Sequence, residues 1–129
     1  MDSRDCCMKI DKIRKNYLSA EETGLRVGQV LKLILENSNP VSIVLFGSAA
    51  RNELTSSSDI DVVVIVGTVG QIKPTLKILT SKSGQLGFPV DFLVTSQSDY
   101  DKKSEIGGVF FDAKREGVIL FPVSSDVPE

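Results

Sequence analysis

Two aspartates at the mouth of an apolar run constrain this chain more than any other feature. They are Asp59 and Asp61, in S-D-I-D-V-V-V-I-V over residues 58–66. On a strand, side chains two apart share a face, so a strand here sets the two carboxylates side by side. Neighbouring carboxylates repel and raise each other's pKa unless a cation neutralises them, and an unpaired charge between Ile60 and Val62 is costly to bury. Upstream, V-S-I-V-L-F over residues 41–46 forms a second β-branched apolar run that ends in Gly47-Ser48. Ten residues, mostly small or polar, separate Ser48 from Asp59. Acidic oxygens at a strand mouth, facing a Gly-Ser turn, suit Mg²⁺ and a phosphate chain.

The rest of the composition excludes other chemistries. With 129 residues, 41% of them hydrophobic, the chain is expected to form one domain with a real core. A net charge of −2 argues against a protein that holds duplex nucleic acid by neutralising many phosphates. No apolar run approaches membrane-spanning length, and M-D-S-R-D-C-C lacks a signal peptide's apolar centre. Adjacent Cys6 and Cys7 would sit about 3.8 Å apart at Cα, too close for an ordinary disulfide; free thiols and a cytoplasmic location are expected. The chain has no His, which removes Ser-His-Asp and Cys-His nucleophile schemes and an ordinary structural zinc site. Acid–base chemistry must fall to carboxylates or lysines.

Read in order, residues 1–18 form a leader in which Ile10, Ile13 and Tyr17 recur at helical spacing among Lys9, Lys12, Arg14 and Lys15. Residues 19–121 form the main domain, and 122–129 a tail with little to pack against. Ser19 with Glu22 matches a capping box, so a helix is expected over 20–36, with Val27, Val30, Leu31, Ile34 and Leu35 inward. N-S-N-P at 37–40 stops it. Strands are expected at 41–46, 60–66 and 89–95, with a short one at 118–121. Between the first two, Ser48 to Asn52 reads as a short helix with its amides toward the site, and 53–58 as a polar loop, mobile unless a ligand orders it. A helix with Ile72, Leu76 and Leu79 inward fills 72–82, and Pro74 fits its first turn. Ser96 with Asp99 caps a further helix whose apolar face is Ile106, Val109, Phe110 and Ala113, weakened by Gly107-Gly108 and ended by Gly117. This alternation implies an α/β or α+β layer sandwich, a mixed sheet of three to five strands packed with helices.

Gly47-Ser48, then Ser58-Asp59-Ile60-Asp61, then Asp91 in P-V-D-F-L-V-T form a combined pattern far more specific than any part of it. The usual phosphate-loop and dinucleotide motifs are absent. The pattern resembles the DNA polymerase β-like nucleotidyltransferase superfamily. It is most similar to the minimal nucleotidyltransferases, small prokaryotic proteins often paired with HEPN-domain toxins. The resemblance spans residues 25 to 121 and includes the ending E-G-V-I-L-F. Ala49 departs from it, since many minimal members carry arginine there, whereas Arg51 retains the later basic position.

The resemblance implies a polymerase β palm-like fold and a nucleotidyltransferase with ATP as donor and two Mg²⁺ ions. Asp59, Asp61 and Asp91 would be the metal-binding and catalytic residues, with Asp91 helping to activate the attacking hydroxyl. Gly47, Ser48 and Arg51 would bind the nucleotide. The implied reaction moves an AMP-type group to a hydroxyl, the implied acceptor being a tyrosine of a HEPN-type toxin, which would make this chain an adenylyltransferase antitoxin in a hetero-oligomer. Two other readings stand beside it. One is a non-catalytic antitoxin that neutralises its partner by contact, motivated by Ala49 and the small size. The other is the catalytic part of a small-molecule, aminoglycoside-type nucleotidyltransferase, which would need a further domain for its acceptor.

Overall fold

The apolar runs become a four-stranded sheet because their β-branched residues can fill a core on both faces. The structure is a computed structural model, and it describes residues 16–105 and 108–122. Strands β1 (Ser42–Phe46), β2 (Ile60–Val66), β3 (Val90–Ser96) and β4 (Val118–Phe121) lie in the order β3-β2-β1-β4. β1 is antiparallel to both β2 and β4, whereas β2 and β3 are parallel. The C-terminal end of β1 and the N-terminal ends of β2 and β3 therefore meet at one edge of the sheet. That edge holds the Gly-Ser turn and all three aspartates.

Helices α1 (Ala20–Asn37) and α2 (Ile72–Lys82) cover one sheet face, where Val30, Ile34 and Leu79 pack against Val62, Val64 and Val66. On the other face Val63 and Ile65 pack with Val44, Tyr100 and Ala113. The last two come from α3 (Gln97–Lys103) and α4 (Val109–Glu116). The described helices include none long and apolar enough to cross a membrane.

Local chemistry sets the helix ends. Ser19 Oγ accepts from the Glu22 amide at 3.0 Å to start α1, with Glu21 and Glu22 in the first turn favouring its positive end. At the other end Asn37 Nδ2 donates to the Leu33 carbonyl and Ser38 Oγ to that of Ile34, occupying acceptors that the helix leaves open. Ser96 caps α3 through the Asp99 amide, as expected.

Four details depart from the sequence reading. Leu33 is buried in α1 and Leu35 faces out, because the inward stripe is narrower than the apolar stretch. In α2, Thr75 and Leu79 are buried and Leu76 is exposed. The helix expected after Ser96 ends at Lys103 and restarts at Val109, with Gly108 at φ +86 closing the break. Ala113 is buried as expected, whereas Ile106 and the side chains of Val109 and Phe110 lie outside the described residues. Gly117 ends α4 without a left-handed backbone, at φ −77. Its role is close approach: a Cβ there would overlap the Ala113 carbonyl and come within 2.5 Å of Val44 Cγ1. The expected helical leader lies outside the described residues apart from Asn16 to Leu18, where Tyr17 bridges Thr55; the tail lies outside them beyond Pro122.

Candidate active site

Strand register builds the site. Asp61 is opposite Phe46, the last residue of β1, and opposite Asp91 in β3. By alternation Asp61 and Asp91 share the face of Val63 and Leu93, and α3 and α4 cover that face only farther along. Asp61 is half-buried, whereas Asp59 and Asp91 are exposed. Burial raises the pKa of Asp61 above its ordinary 3.8; the charges of Asp91 and then Asp59 push it further, and Arg51 opposes them. Asp59, Asp91 and Arg51 therefore all lie within electrostatic reach of Asp61.

Gly47 makes the close approach possible. Its φ is +75, and a Cβ added there would lie 2.5 Å from Asp61 Oδ2. Glycine is needed for both reasons, the left-handed backbone and the missing side chain. Gly47–Ala49 then winds into a single 3₁₀ turn. The amides of Ala50, Arg51, Asn52 and Glu53 donate to the carbonyls of Gly47, Ser48 and Ala49. The amides of Ser48 and Ala49 precede these bonds and stand at the front of the turn. Ser48 is half-buried, and its hydroxyl makes no hydrogen bond among the described residues. Arg51 is exposed, with its Nε 3.1 Å from Glu53 Oε1.

The segment from 53 to 58 is a loop, as expected, and it is tied down at several points. Leu54 is fully buried, and its carbonyl accepts from the Leu18 amide. Thr55 and Ser58 close a turn through a 2.6 Å hydroxyl pair and a 3.2 Å bond from the Thr55 amide to Ser58 Oγ. A cleft of about 430 Å³ lined by Asn16 and residues 55–58 lies beside Asp59. Sequence reasoning missed this hydroxyl cluster and Glu53; the T-S-S-S run and the R-N-E spacing were the available signals. On the opposite edge of the site, the Ile60 amide, between the two aspartates, donates to the Pro89 carbonyl at 3.1 Å. The preceding Phe88 ring lies 5.0 Å from the Arg26 guanidinium of α1, which ties that loop to the helix layer.

The donor set consists of hard carboxylate oxygens, the type that Mg²⁺ prefers. None of the three aspartates forms an ion pair among the described residues. In detail the structure differs from a closed triad: among the described residues, no three acidic or other ligating side chains converge on a single point. Asp61 is the centre of the strip, flanked by Asp59 along the chain and Asp91 across the sheet.

The fold and the sequence each have known relatives. The chain resembles in fold a Sulfolobus solfataricus protein classed with the nucleotidyltransferases, seen in a crystal structure at 1.40 Å, with a TM-score of 0.50 and 17% identity over 81% of this chain and 88% of that one. No curated protein matches the chain. Residues 29–116, more than half of the chain and including all six site residues, match the sequence model of the family described as Polymerase beta, Nucleotidyltransferase. The chain belongs to the polymerase β-type nucleotidyltransferase family.

Proposed function

We propose that this protein is a Mg²⁺-dependent cytoplasmic adenylyltransferase that moves an AMP-type group from ATP to a hydroxyl on a partner protein. The observation that carries this reading is Asp61, held half-buried between Asp91 on β3 and the bare Cα of Gly47. Ser48 and the leading amides of the turn would be the donors for the β- and γ-phosphates, and Arg51 would add charge to them. Asp59 and Asp61, with Asp91 nearby, would hold the divalent cation, which supplies charge neutralisation and a more acidic acceptor hydroxyl. Asp91 accepts the acceptor's proton as the acceptor oxygen bonds to the α-phosphorus. The bond from the α-phosphorus to its bridging oxygen breaks, and pyrophosphate leaves. Asp91 is exposed on an edge strand, which supports an acceptor as large as a folded protein.

By resemblance to minimal nucleotidyltransferases, the acceptor is a tyrosine of a HEPN-type toxin with ribonuclease character, and this chain is its antitoxin. A second reading, neutralisation by contact alone, is favoured by two observations: Ala49 is buried where a cation would reach the phosphates, and the three carboxylates do not converge. Coexpression with a HEPN-type partner separates the two. Transfer predicts that the Asp59→Ala/Asp61→Ala variant still binds the partner and no longer protects the cell. Full protection by that variant would leave contact as the mechanism.

A further inference from the structure

A carboxylate beside a triphosphate site is electrostatically out of place, yet Glu53 sits there with its side chain on Arg51. The backbone fixes this meeting. The Glu53 amide donates to the Ser48 carbonyl at 2.8 Å, and that of Arg51 to the same carbonyl at 3.1 Å. Between them Asn52 holds φ +62, a left-handed conformation that non-glycine residues adopt rarely and that Asn tolerates best. The reversal at Asn52 brings both side chains to one side of the turn, where Arg51 Nε donates to Glu53 Oε1 at 3.1 Å.

The chemistry of the guanidinium makes this contact informative. Of its five N–H donors only the one on Nε is engaged by Glu53, leaving the terminal nitrogens as the planar fork that matches phosphate oxygens. Both side chains are about half exposed, at 51% and 46%, so the pair contributes little to stability. Its effect is orientational. Arg51 also acts electrostatically on Asp61, lowering its pKa, and it follows Ser48 by three residues in the same turn.

We infer that Glu53 is a positioning residue for nucleotide binding: anchored through Ser48, it holds Arg51 by Nε so that the terminal nitrogens face the triphosphate. This rests on the assignment of Gly47, Ser48 and Arg51 to nucleotide binding. It departs from simple electrostatics in sign. If Glu53 acted only through its charge, removing that charge would tighten binding of a polyanion, and Glu53→Gln and Glu53→Ala would do so alike. If it acts through Nε, Glu53→Gln keeps an acceptor oxygen and Glu53→Ala does not.

The test is binding of a fluorescent ATP analogue with Mg²⁺ to the full chain, for wild type, R51A, E53A, E53Q and R51A/E53A, with thermal unfolding of each. The positioning role predicts Kd raised about three- to tenfold by E53A, unchanged within about twofold by E53Q, and no worse in R51A/E53A than in R51A. Unfolding temperatures should be unchanged across the E53 variants. Equal or tighter binding by E53A, or penalties that multiply in the double variant, would overturn the role of Glu53 alone. Wild type that fails to bind nucleotide would overturn the site assignment and this inference together.

Discussion

Asp61 carries a charge conflict that Arg51 only partly offsets. Its pKa is raised by burial, then by Asp91 and Asp59. Between 3.8 and that raised value the native chain holds a proton that the unfolded chain has lost, so stability falls as pH rises through the window and stays lower above it. D61N has no such proton to lose. In EDTA at pH 7 it should therefore melt above wild type, and the difference should shrink as pH falls toward 3.8; a difference independent of pH would show that Asp61 is not strained. Adding Mg²⁺ should raise the melting temperature of wild type and not that of D61N. Strand alternation led to the expectation that Asp59 and Asp61 share a face; Asp59 lies one residue before β2, and its charge acts on Asp61. Their relation to Asp91 and Gly47 needed the register of β2 against β3 and the turn after β1, which no local pattern contains. The Arg51–Glu53 contact was equally hidden, since it depends on the left-handed Asn52.

Among the elements, β2 was readable to its ends because a continuous β-branched run buried on both faces admits few alternatives. The helices were readable in position and less so in rotation. Apolar residues at 72, 76 and 79 describe one plausible stripe, but the face against the sheet carries Thr75 and Leu79, and Leu76 is exposed. Two truncations check this rotation. L79A leaves a cavity in the core and should destabilise by about 2–5 kcal/mol in urea unfolding, whereas L76A should cost no more than about 0.5 kcal/mol. Comparable losses would mean that the helix is turned the other way. The break between α3 and α4 was signalled by Gly107-Gly108, and the periodicity running across it concealed two short helices. Gly117 fell where expected for a different physical reason, the nearness of Val44 and the Ala113 carbonyl.

At the scale of the whole molecule, one sheet separates two tasks. Helices α1 and α2 close the face beneath the strands and hold the scaffold. The opposite face is covered at one end by α3 and α4 and, among the described residues, left open at the other, where Asp61 and Asp91 lie four register positions short of Ile65 and Thr95. Four residues of strand span about 13 Å, so the buried Tyr100 of α3, packed with Ile65, stands clear of the chemistry. We propose that this acid-lined edge receives an acceptor from outside. The most direct measurement of that claim is label transfer with Mg²⁺ in the presence of the partner or a host lysate, using ATP labelled at the α- or at the γ-phosphate, for wild type and D59A/D61A. The account predicts a labelled protein band only with wild type and only from the α-label. Equal labelling by the double variant, or none by wild type in stable complex with its partner, would contradict it.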